Sequence, residues 1–321
     1  MKTIAVMTSG GDAPGMNAAI RAVVRTAVDK DLKVYGIRRG YTGLLAGDFE
    51  SLTNREVSGI LQRGGTILQT ARNQEFRTQD GQKRGLRRLN KYDVQGLIVI
   101  GGDGSLAGAQ ALHNLKFPVI GIPASIDNDI WGTNMSIGVD TALNTILDAI
   151  DKLRDTASSH ERAFLIEAMG RNCGYLALMS GILGGAEIIV TPEHSVSLEQ
   201  IAQALDDAYT RGKSHAIAVI SEGTSYKLHQ VAEYLEQHPC GFEVRMTILG
   251  HVQRGGSPSA FDRLLATRMG VNAVEQLLEG ESGKMVGLNG RQISLVELSE
   301  VVNNKRSIGD GYFEMAEVLS R

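Results

Sequence analysis

Three aspartates in the first half of the chain, Asp103, Asp127 and Asp129, have the side chains and the spacing that phosphoryl chemistry needs. Asp103 lies inside the glycine loop "GGDGSLAGA", and the other two lie in "ASIDND", where Ser125 precedes them. Carboxylates gathered at strand ends are costly unless a cation or a substrate hydroxyl engages them. One can hold magnesium while another accepts the proton of an attacking hydroxyl. For "ASIDND" alone, an Asx-rich surface turn is the alternative interpretation.

The first glycine-rich segment, "TSGGDAPGMNAAIR", follows the apolar run "TIAVM" and predicts a strand, a turn and a helix. Gly10 and Gly15 have the spacing of a P-loop. Met16 and Asn17, however, stand where a P-loop needs lysine and then serine or threonine. A phosphate bound at this turn therefore needs positive charge from elsewhere.

The second glycine loop resembles a dinucleotide fingerprint but has different spacing. Gly102 and Gly104 are followed by Gly108, one residue later than the fingerprint requires. An unneutralised Asp103 would repel a pyrophosphate, whereas the same carboxylate suits magnesium beside phosphates. Two interpretations stay open for this loop, which are phosphate binding at a helix N-terminus and a purely structural turn.

Charged side chains also follow predicted strands in the second half of the chain. Arg171 comes just before a helix, a position suited to an anion, and Glu222 ends another strand, where it suits sugar hydroxyls. Further candidates in or near these segments are His251, Arg254, Arg162 and Arg245. Taken singly, each is more typical of a surface salt bridge than of a ligand.

Short apolar runs alternating with helical patterns must position these side chains. The predicted strands are Thr3–Met7, Leu32–Ile37, Gly96–Ile100, Pro118–Ile122, Ala163–Ala168, Glu187–Val190, Ala216–Ile220 and Glu243–Leu249. Runs that are apolar on both faces suit a parallel sheet covered by helices. The predicted fold class is therefore α/β, with two doubly wound lobes. The pair Asn289-Gly290 between apolar runs predicts a hairpin.

Length and composition limit the class of protein. A chain of 321 residues suits two domains, and 42% hydrophobic with 21% charged residues argues against disorder. A formal charge of −3 gives no overall reason to expect a nucleic acid or a membrane partner. Cys173 and Cys240 cannot make a disulfide framework, which favours the cytoplasm. The apolar residues before Thr8 are too few for a signal peptide or a membrane span.

Together, these segments resemble the bacterial ATP-dependent 6-phosphofructokinases along nearly the whole chain. The matching motifs, in the family's order, are "TSGGDAPGMNAAIR", "RGGTILQTAR", "GGDGSLAGA", "SIDND", "SSHERAF", "EAMGR", "SEG" and "LGHVQRGGSP". "GGDG" alone also occurs in NAD kinases and lipid kinases, but "IDND" followed by "MGR" and "GHVQRGG" is specific. The resemblance implies two interleaved lobes. The implied nucleotide-binding domain is 1–138 plus 253–303, and the implied fructose-6-phosphate-binding domain is 139–252 plus 304–321.

The resemblance implies transfer of the γ-phosphoryl group of ATP to the 1-hydroxyl of fructose 6-phosphate, the committed step of glycolysis. Asp127 is expected to be the general base, with Asp103 and Asp129 holding Mg²⁺ directly or through water. Ser125 is expected to hydrogen-bond the transferring group, and Arg171 to stabilise transition-state charge. At the first loop, the helix dipole, the magnesium ion and Arg72 would replace the P-loop lysine.

Two sets of contacts follow from the same resemblance. The expected nucleotide contacts are Gly11, Tyr41, Arg72, Asn73, Gly102, Asp103, Gly104, Ser105 and Gly108. The expected fructose 6-phosphate contacts are Ser125, Ile126, Asp127, Arg162, Met169, Gly170, Arg171, Glu222, Arg245, His251 and Arg254.

The resemblance also implies a homotetramer, because Arg162 and Arg245 match two family arginines that reach the 6-phosphate from a neighbouring subunit. ADP or phosphoenolpyruvate is the expected effector. The expected effector residues are Arg21, Arg25, Arg154, Gly185, Glu187, Arg211 and Lys213. Arg21 and Arg25 by themselves indicate only a solvated helix face. The effector loop "TNREVSG" departs from the family at Asn54 and Gly59, so it matches less fully than the catalytic motifs.

Three further departures lie near the aspartates. Ser125 stands where bacterial members usually have threonine, although eukaryotic relatives also use serine there. Ala124 replaces a common glycine, and Trp131 is an unusually large residue. These changes affect loop mobility and affinity in our interpretation, and leave the reaction unchanged.

Three other functions are weighed against this one. A pyrophosphate-dependent phosphofructokinase usually carries aspartate at the position of Gly104 and lysine at that of Ala124, and both are absent. A Rossmann oxidoreductase predicts an acidic residue ~20 residues past the glycines, at the end of a strand, where the polar loop "SIDND" lies instead. A noncatalytic nucleotide sensor would not need Asp127.

Overall fold

The structure is a computed structural model that describes residues 1–320. Over that range the chain forms two compact units, each assembled from separate segments. The first unit contains Met1–Ile126, Ile130–Thr141 and Arg254–Arg306. The second contains Asp127–Asp129, Ala142–Gln253 and the residues from Ser307 onward.

The secondary structure alternates between strands and helices. The strands are β1 (Thr3–Ser9), β2 (Lys33–Ile37), β3 (Phe49–Leu52), β4 (Gly96–Gly101), β5 (Val119–Pro123), β6 (Arg162–Ala168), β7 (Ile188–Val190), β8 (Ala216–Ser221), β9 (Glu243–Ile248), β10 (Lys284–Asn289) and β11 (Gln292–Glu297). The α-helices are α1 (Met16–Asp29), α2 (Gly40–Ala46), α3 (Gln79–Lys91), α4 (Asp103–Asn114), α5 (Val139–Ser158), α6 (Tyr175–Leu183), α7 (Leu198–Thr210), α8 (Leu228–Gln237), α9 (Ala260–Leu278), α10 (Leu298–Asn303) and α11 (Asp310–Ser320). Short 3-10 helices span Glu75–Arg77 and Gly250–Arg254.

The sheet of the first unit has the strand order β11-β10-β5-β4-β1-β2-β3. Strands β2, β1, β4, β5 and β10 run parallel, while β3 and β11 pair antiparallel at the two edges. The order of connection reverses between β1 and β4. Open α/β sheets bind ligands outside the carboxyl ends of the strands at such a switch point.

The core of the first unit explains why these strands form. β4 is buried along its whole length, and β1 is buried from Ile4 onward. Their register pairs Val6 with Ile98, and Met7 and Val99 pack in one cluster with Leu106 of α4. Because both faces of these strands are covered, their sequences are continuous apolar runs.

A buried carboxylate also ties the start of α5 to α9 in the first unit. Asp262 has no solvent exposure and accepts hydrogen bonds from the backbone nitrogens of Gly138 and Thr141, each at 2.8 Å. The Thr141 hydroxyl donates to the same carboxylate at 2.6 Å. Burial raises the pKa of Asp262 in spite of these hydrogen bonds.

The sheet of the second unit has the order β7-β8-β6-β9 and is wholly parallel. Its central strands pair Phe164 with Ile217 and with Arg245. Helices α7 and α8 supply Ile201, Leu205 and Val231 to the core cluster on this sheet. The loops that follow β8, β6 and β9 therefore start side by side at one edge.

The predicted fold class, α/β with mainly parallel sheets, is confirmed. The hairpin expected at Asn289-Gly290 is also confirmed, since β10 and β11 pair antiparallel with Asn289 opposite Gln292 and Gly290 has a φ of 59°. None of the helices in residues 1–320 is long and apolar enough to span a membrane.

Candidate active site

The first two glycine loops lie together at the switch point of the first sheet. Ser9 ends β1 and Gly101 ends β4, and these two residues are register partners. A Cβ added to Gly101 would lie 2.4 Å from the Ser9 oxygen, and one added to Gly10 would lie 3.1 Å from Ser105 Oγ. Side chains at these glycines would therefore separate the loops. Their absence lets the two loops approach each other closely.

Helix α4 begins directly after β4 and points its first turn at this crevice. Gly102 is the N-cap residue, and Asp103, Gly104 and Ser105 form the first turn. A Cβ added to Gly104 would meet no atom within 4 Å, so the space beside this turn is open. A helix N-terminus carries a partial positive charge and unpaired N–H groups, which suit a phosphate.

Tyr41 packs against the first turn of α4. Its hydroxyl donates to the Ser105 carbonyl at 2.7 Å, and a Cβ added to Gly108 would lie 2.4 Å from its ring. The ring also stacks on Phe76, with 4.1 Å between centroids. Burial raises the pKa of Tyr41 well above its usual range, so the hydroxyl stays a donor. Tyr41, predicted as a nucleotide contact, is a buried support of α4.

Arg72 and Asn73 lie in the segment that leads to Phe76. Arg72 is exposed. Asn73 accepts a hydrogen bond from the Phe76 nitrogen at 2.8 Å and donates to Thr42 Oγ1 at 3.1 Å. The structure thus connects Asn73 to Tyr41 through Phe76.

Arg254 packs against the first glycine loop. Its Nη1 donates to the Asp12 carbonyl oxygen at 3.2 Å, and a Cβ added to Gly11 would lie 2.8 Å from the same nitrogen. The family resemblance assigns Arg254 to fructose 6-phosphate. The structure brings its guanidinium group to the loop that lacks a P-loop lysine.

Ser125 and Ile126 follow β5. The Ser125 nitrogen donates to the Ile137 carbonyl at 3.2 Å, and its oxygen accepts from Ser136 Oγ at 2.8 Å. A Cβ added to Gly102 would lie 3.8 Å from Ser125 Cβ, which places the serine beside the second glycine loop. Ile126 has no solvent exposure.

The aspartates Asp127 and Asp129 are half-buried members of the second unit. Asn128 between them has a φ of 53°, a left-handed conformation that asparagine tolerates. The Oδ1 atom of Asp127 is inaccessible to solvent. Burial, together with the charges of Glu193, Asp129 and Asp127, raises the pKa of Cys173 to about 12. The Cys173 thiol therefore stays protonated. Since the charges of both aspartates act on Cys173, the two aspartates lie near the loop that follows β6.

Residues at the end of β8 form hydrogen bonds with the loop that follows β6. The Ser221 hydroxyl donates to the Gly170 oxygen at 2.6 Å, and the Gly170 nitrogen donates to Glu222 Oε1 at 3.5 Å. Gly170 has a φ of 137°, and a Cβ there would lie 2.3 Å from the Cys173 oxygen, so the turn requires glycine. Arg171 Nε lies 3.7 Å from Glu222 Oε1, while its side chain is 79% exposed. The structure thus brings Gly170, Arg171 and Glu222 together.

The loop after β9 starts at the same carboxyl end of the sheet. His251 is exposed in the 3-10 helix Gly250–Arg254. The backbone nitrogen of Met169 donates to Gln253 Oε1 at 3.0 Å. Sequence reasoning missed Gln253, because nothing in "GHVQRGG" distinguishes a buried glutamine from an exposed one.

Arg162 and Arg245 lie at the other end of the same sheet. Arg162 begins β6, and Met169 follows the end of that strand, so the two are ~23 Å apart at ~3.3 Å per residue. Arg162 Nε bonds Glu243 Oε2 at 2.6 Å, and Arg245 bonds the other oxygen of Glu243. The Arg162 hydrogen bond lowers the pKa of Glu243. Within one chain these two arginines do not join the residues at the carboxyl end.

The aspartates predicted to bind metal offer carboxylate oxygens, the ligands that Mg²⁺ prefers. Asp103 belongs to the first unit and Asp129 to the second. In the part of the chain that the structure describes, no group of three or more His, Cys, Asp or Glu side chains is arranged to hold a metal ion. The donor chemistry of each aspartate by itself suits Mg²⁺.

The comparisons with known proteins identify the family. The family model described as phosphofructokinase matches residues 3–277. The chain belongs to the phosphofructokinase family. It is 54% identical to the ATP-dependent 6-phosphofructokinase of Thermotoga neapolitana over 321 residues, all of both chains. The predicted resemblance is therefore confirmed, and so is the predicted enzyme class, a phosphotransferase acting on an alcohol group.

Solved structures of phosphofructokinases share this fold. The phosphofructokinase of Pichia pastoris in the T-state has a TM-score of 0.89 and 37% identity, covering 94% of this chain and 35% of that chain. A pyrophosphate-dependent phosphofructokinase from Marinobacter aquaeolei has a TM-score of 0.86 and 24% identity, covering 97% of this chain and 86% of that one. The second comparison shows the fold alone.

Most residues predicted to bind an effector of this phosphofructokinase cluster in the second unit. Arg154 bonds the Gly185 carbonyl at 3.4 Å and contacts His215 Nε2 at 3.1 Å. Lys213 pairs with the buried Glu187 at 2.8 Å. Burial, and then the Arg154 charge, lowers the pKa of His215, a member of the cluster that sequence reasoning missed.

The other predicted effector residues lie elsewhere. Arg211 is the exposed C-cap residue that follows α7. Arg21 and Arg25 lie on α1 of the first unit, the former half-buried and the latter exposed.

Proposed function

We propose that this phosphofructokinase transfers the γ-phosphoryl group of ATP to the 1-hydroxyl of fructose 6-phosphate, giving fructose 1,6-bisphosphate and ADP. The observation that carries the proposal is the 54% identity, from end to end of both chains, with an ATP-dependent 6-phosphofructokinase. Two glycine loops at the switch point of the first sheet, with a helix N-terminus between them, support a nucleotide at that place.

The residue at position 104 supports ATP over pyrophosphate as the phosphoryl donor. The space beside Gly104 is open, and an aspartate there, typical of pyrophosphate-dependent relatives, would project a carboxylate into it. Ala124, where those relatives usually carry lysine, is buried. The pyrophosphate-dependent alternative is therefore less supported.

We assign the chemical step to residues near the end of β5 and in the loop after β6. Asp127 accepts the proton of the 1-hydroxyl, and Ser125 hydrogen-bonds the transferring group. Arg171, whose guanidinium group is largely in solvent, is available to an anion and stabilises the charge that develops. Met169, Gly170, Glu222 and His251 complete the proposed sugar site.

A nucleotide donor implies a divalent cation, and we propose Mg²⁺. Asp103 and Asp129 would hold it, because carboxylate oxygens are its preferred protein ligands. When bound, it would neutralise the phosphate oxygens and orient them. The N-terminus of α4, Arg72 and Arg254 would supply the remaining positive charge.

Beyond one chain, we propose a homotetramer in which Arg162 and Arg245 complete the 6-phosphate site of a neighbour. The support is their position at the amino end of the sheet. The cluster of Arg154, Gly185, Glu187 and Lys213 supports an anionic effector such as ADP or phosphoenolpyruvate. A cytoplasmic location agrees with Cys173 and Cys240, which are free thiols within the described range.

The test is product formation by the purified protein with fructose 6-phosphate and Mg²⁺, comparing ATP with pyrophosphate. The proposal predicts fructose 1,6-bisphosphate with ATP and none with pyrophosphate. Turnover with pyrophosphate alone would mean that Gly104 and Ala124 do not select the donor.

A further inference from the structure

Gln253 is a buried polar side chain that connects two of the loops at the carboxyl edge of the second sheet. It has no solvent exposure. Its Oε1 accepts a hydrogen bond from the Met169 nitrogen at 3.0 Å, and its Nε2 donates to the Gly250 oxygen at 2.9 Å. One planar carboxamide thus satisfies a donor on one loop and an acceptor on the other.

This connection begins where the strand ladder stops. Leu249 donates to the Glu167 oxygen at 3.2 Å, the hydrogen bond next to the end of β9. Beyond that point β6 continues into the turn at Met169 and Gly170, while β9 continues into the 3-10 helix that carries His251. The Gln253 carboxamide connects the two segments there.

On the side of β8, other side chains form hydrogen bonds with the loop after β6. Ser221 and Glu222 of the β8 end bond the Gly170 oxygen and nitrogen, as described above. Met169 and Gly170 are therefore held from both neighbouring strands, by Gln253 on the β9 side and by Ser221 and Glu222 on the β8 side.

We propose that Gln253 is a positioning residue for the sugar phosphate. It sets the distance between the Met169 backbone and His251 without touching the substrate, and so sets the affinity for fructose 6-phosphate. The inference rests on the proposed function, since that function assigns both loops to the sugar. The nucleotide loops belong to the other unit, so nucleotide affinity is not expected to depend on this carboxamide.

The test replaces Gln253 by methionine, which has a similar length and no amide. Gln253→Met is expected to raise the KM for fructose 6-phosphate about tenfold, because a buried Met169 N–H loses its acceptor. The KM for ATP and kcat are expected to stay near the wild-type values. A contact that stabilises the bound sugar and the transition state equally changes KM when it is lost and leaves kcat unchanged. Gln237→Met, on the exposed end of α8, is the matched control and is expected to leave both KM values unchanged.

A second variant guards against misfolding. Gln253→Asn retains donor and acceptor on a side chain that is shorter by one methylene, and its effect on the sugar KM is expected to be smaller. A general structural role predicts a different result, in which both KM values and kcat change together. That result, or an unchanged sugar KM in Gln253→Met, would overturn the proposal.

Hydrogen exchange separates this inference from the proposed function. In Gln253→Met without any substrate, amides of Met169–Gly174 are expected to exchange about tenfold faster, since one hydrogen bond protecting them is lost. Amides of β6 are expected to keep their protection. Unchanged exchange in Met169–Gly174 would overturn the inference, whatever the substrate is. Failure of the proposed function is seen separately, as a wild-type protein that does not phosphorylate fructose 6-phosphate.

Discussion

Arg254 Nη1 donates a hydrogen bond to the backbone oxygen of Asp12, 3.2 Å away, across 242 residues of sequence. This contact puts a guanidinium group on a glycine loop that has Met16 and Asn17 in place of the P-loop lysine and hydroxyl. The family resemblance also assigns this arginine to fructose 6-phosphate. One side chain therefore serves both substrates in our account.

Replacing Arg254 is expected to weaken the binding of both substrates. Arg254→Ala removes a charged hydrogen-bond donor, so the KM values for ATP and for fructose 6-phosphate are each expected to rise about tenfold or more. Arg254→Lys keeps the charge but loses the planar guanidinium group with its several donors, so a smaller rise in both KM values is expected. Steady-state kinetics with each substrate varied checks this. Arg268→Ala is the control, because Arg268 also donates to a backbone oxygen, that of Arg291 at 2.6 Å. An unchanged KM for ATP in Arg254→Ala would contradict the double role.

Position 104 tests the choice of phosphoryl donor. Gly104→Asp is expected to raise the KM for ATP sharply, because it puts a second carboxylate beside Asp103 where phosphates are proposed to bind. Gly104→Ala is the control. A Cβ there meets no atom within 4 Å, and alanine favours a helix over glycine by ~1 kcal/mol, so full activity and an unchanged or higher Tm are expected. Loss of ATP turnover in the alanine variant would show that any side chain at position 104 blocks ATP, so the carboxylate would not be the cause of the effect in Gly104→Asp.

Mixing two inactive variants tests whether sites are shared between subunits. Arg162 lies at the amino end of β6 in its own chain, so it is proposed to act in a neighbour's site. Arg162→Ala and Asp127→Ser are each expected to be nearly inactive. Unfolding and refolding them together is expected to restore activity, because some sites then combine an intact Asp127 with a neighbour's intact Arg162. Mixtures with no more activity than the separate variants would argue that each site belongs to one chain.

The buried Asp262 predicts the direction of a pH effect on stability. Its folded pKa is raised by burial, so the folded protein binds a proton more readily than the unfolded chain. This contribution to the free energy of unfolding therefore falls as pH rises from the ordinary aspartate value of 3.8 through the raised folded pKa. Above that pKa the contribution is constant. Relative to wild type, Asp262→Asn is expected to gain Tm as pH rises across this window, and Tm measured at several pH values checks it. Parallel Tm curves for the two proteins would refute the raised pKa.

The sequence revealed the strands and loops better than the contacts between them. Apolar runs predicted β1, β4, β5 and β6, because strands covered on both faces must be apolar along their length. Glycine loops after those strands marked the nucleotide side. Gln253 and Glu243 were missed for a physical reason. Their roles depend on burial and on the pairing of β6 with β9, which connects residues far apart in sequence. The hydrogen bond from Arg254 to Asp12 has the same origin.

Asp127 is proposed to accept the proton in phosphoryl transfer, and the kcat of Asp127→Asn measures how much the reaction depends on it. Asparagine has nearly the same shape but cannot accept a proton. We predict a loss of about a thousandfold in kcat, typical of a missing general base, with KM values for ATP and fructose 6-phosphate close to wild type. Turnover at the wild-type rate would contradict the account, because the reaction would then need no base at this position.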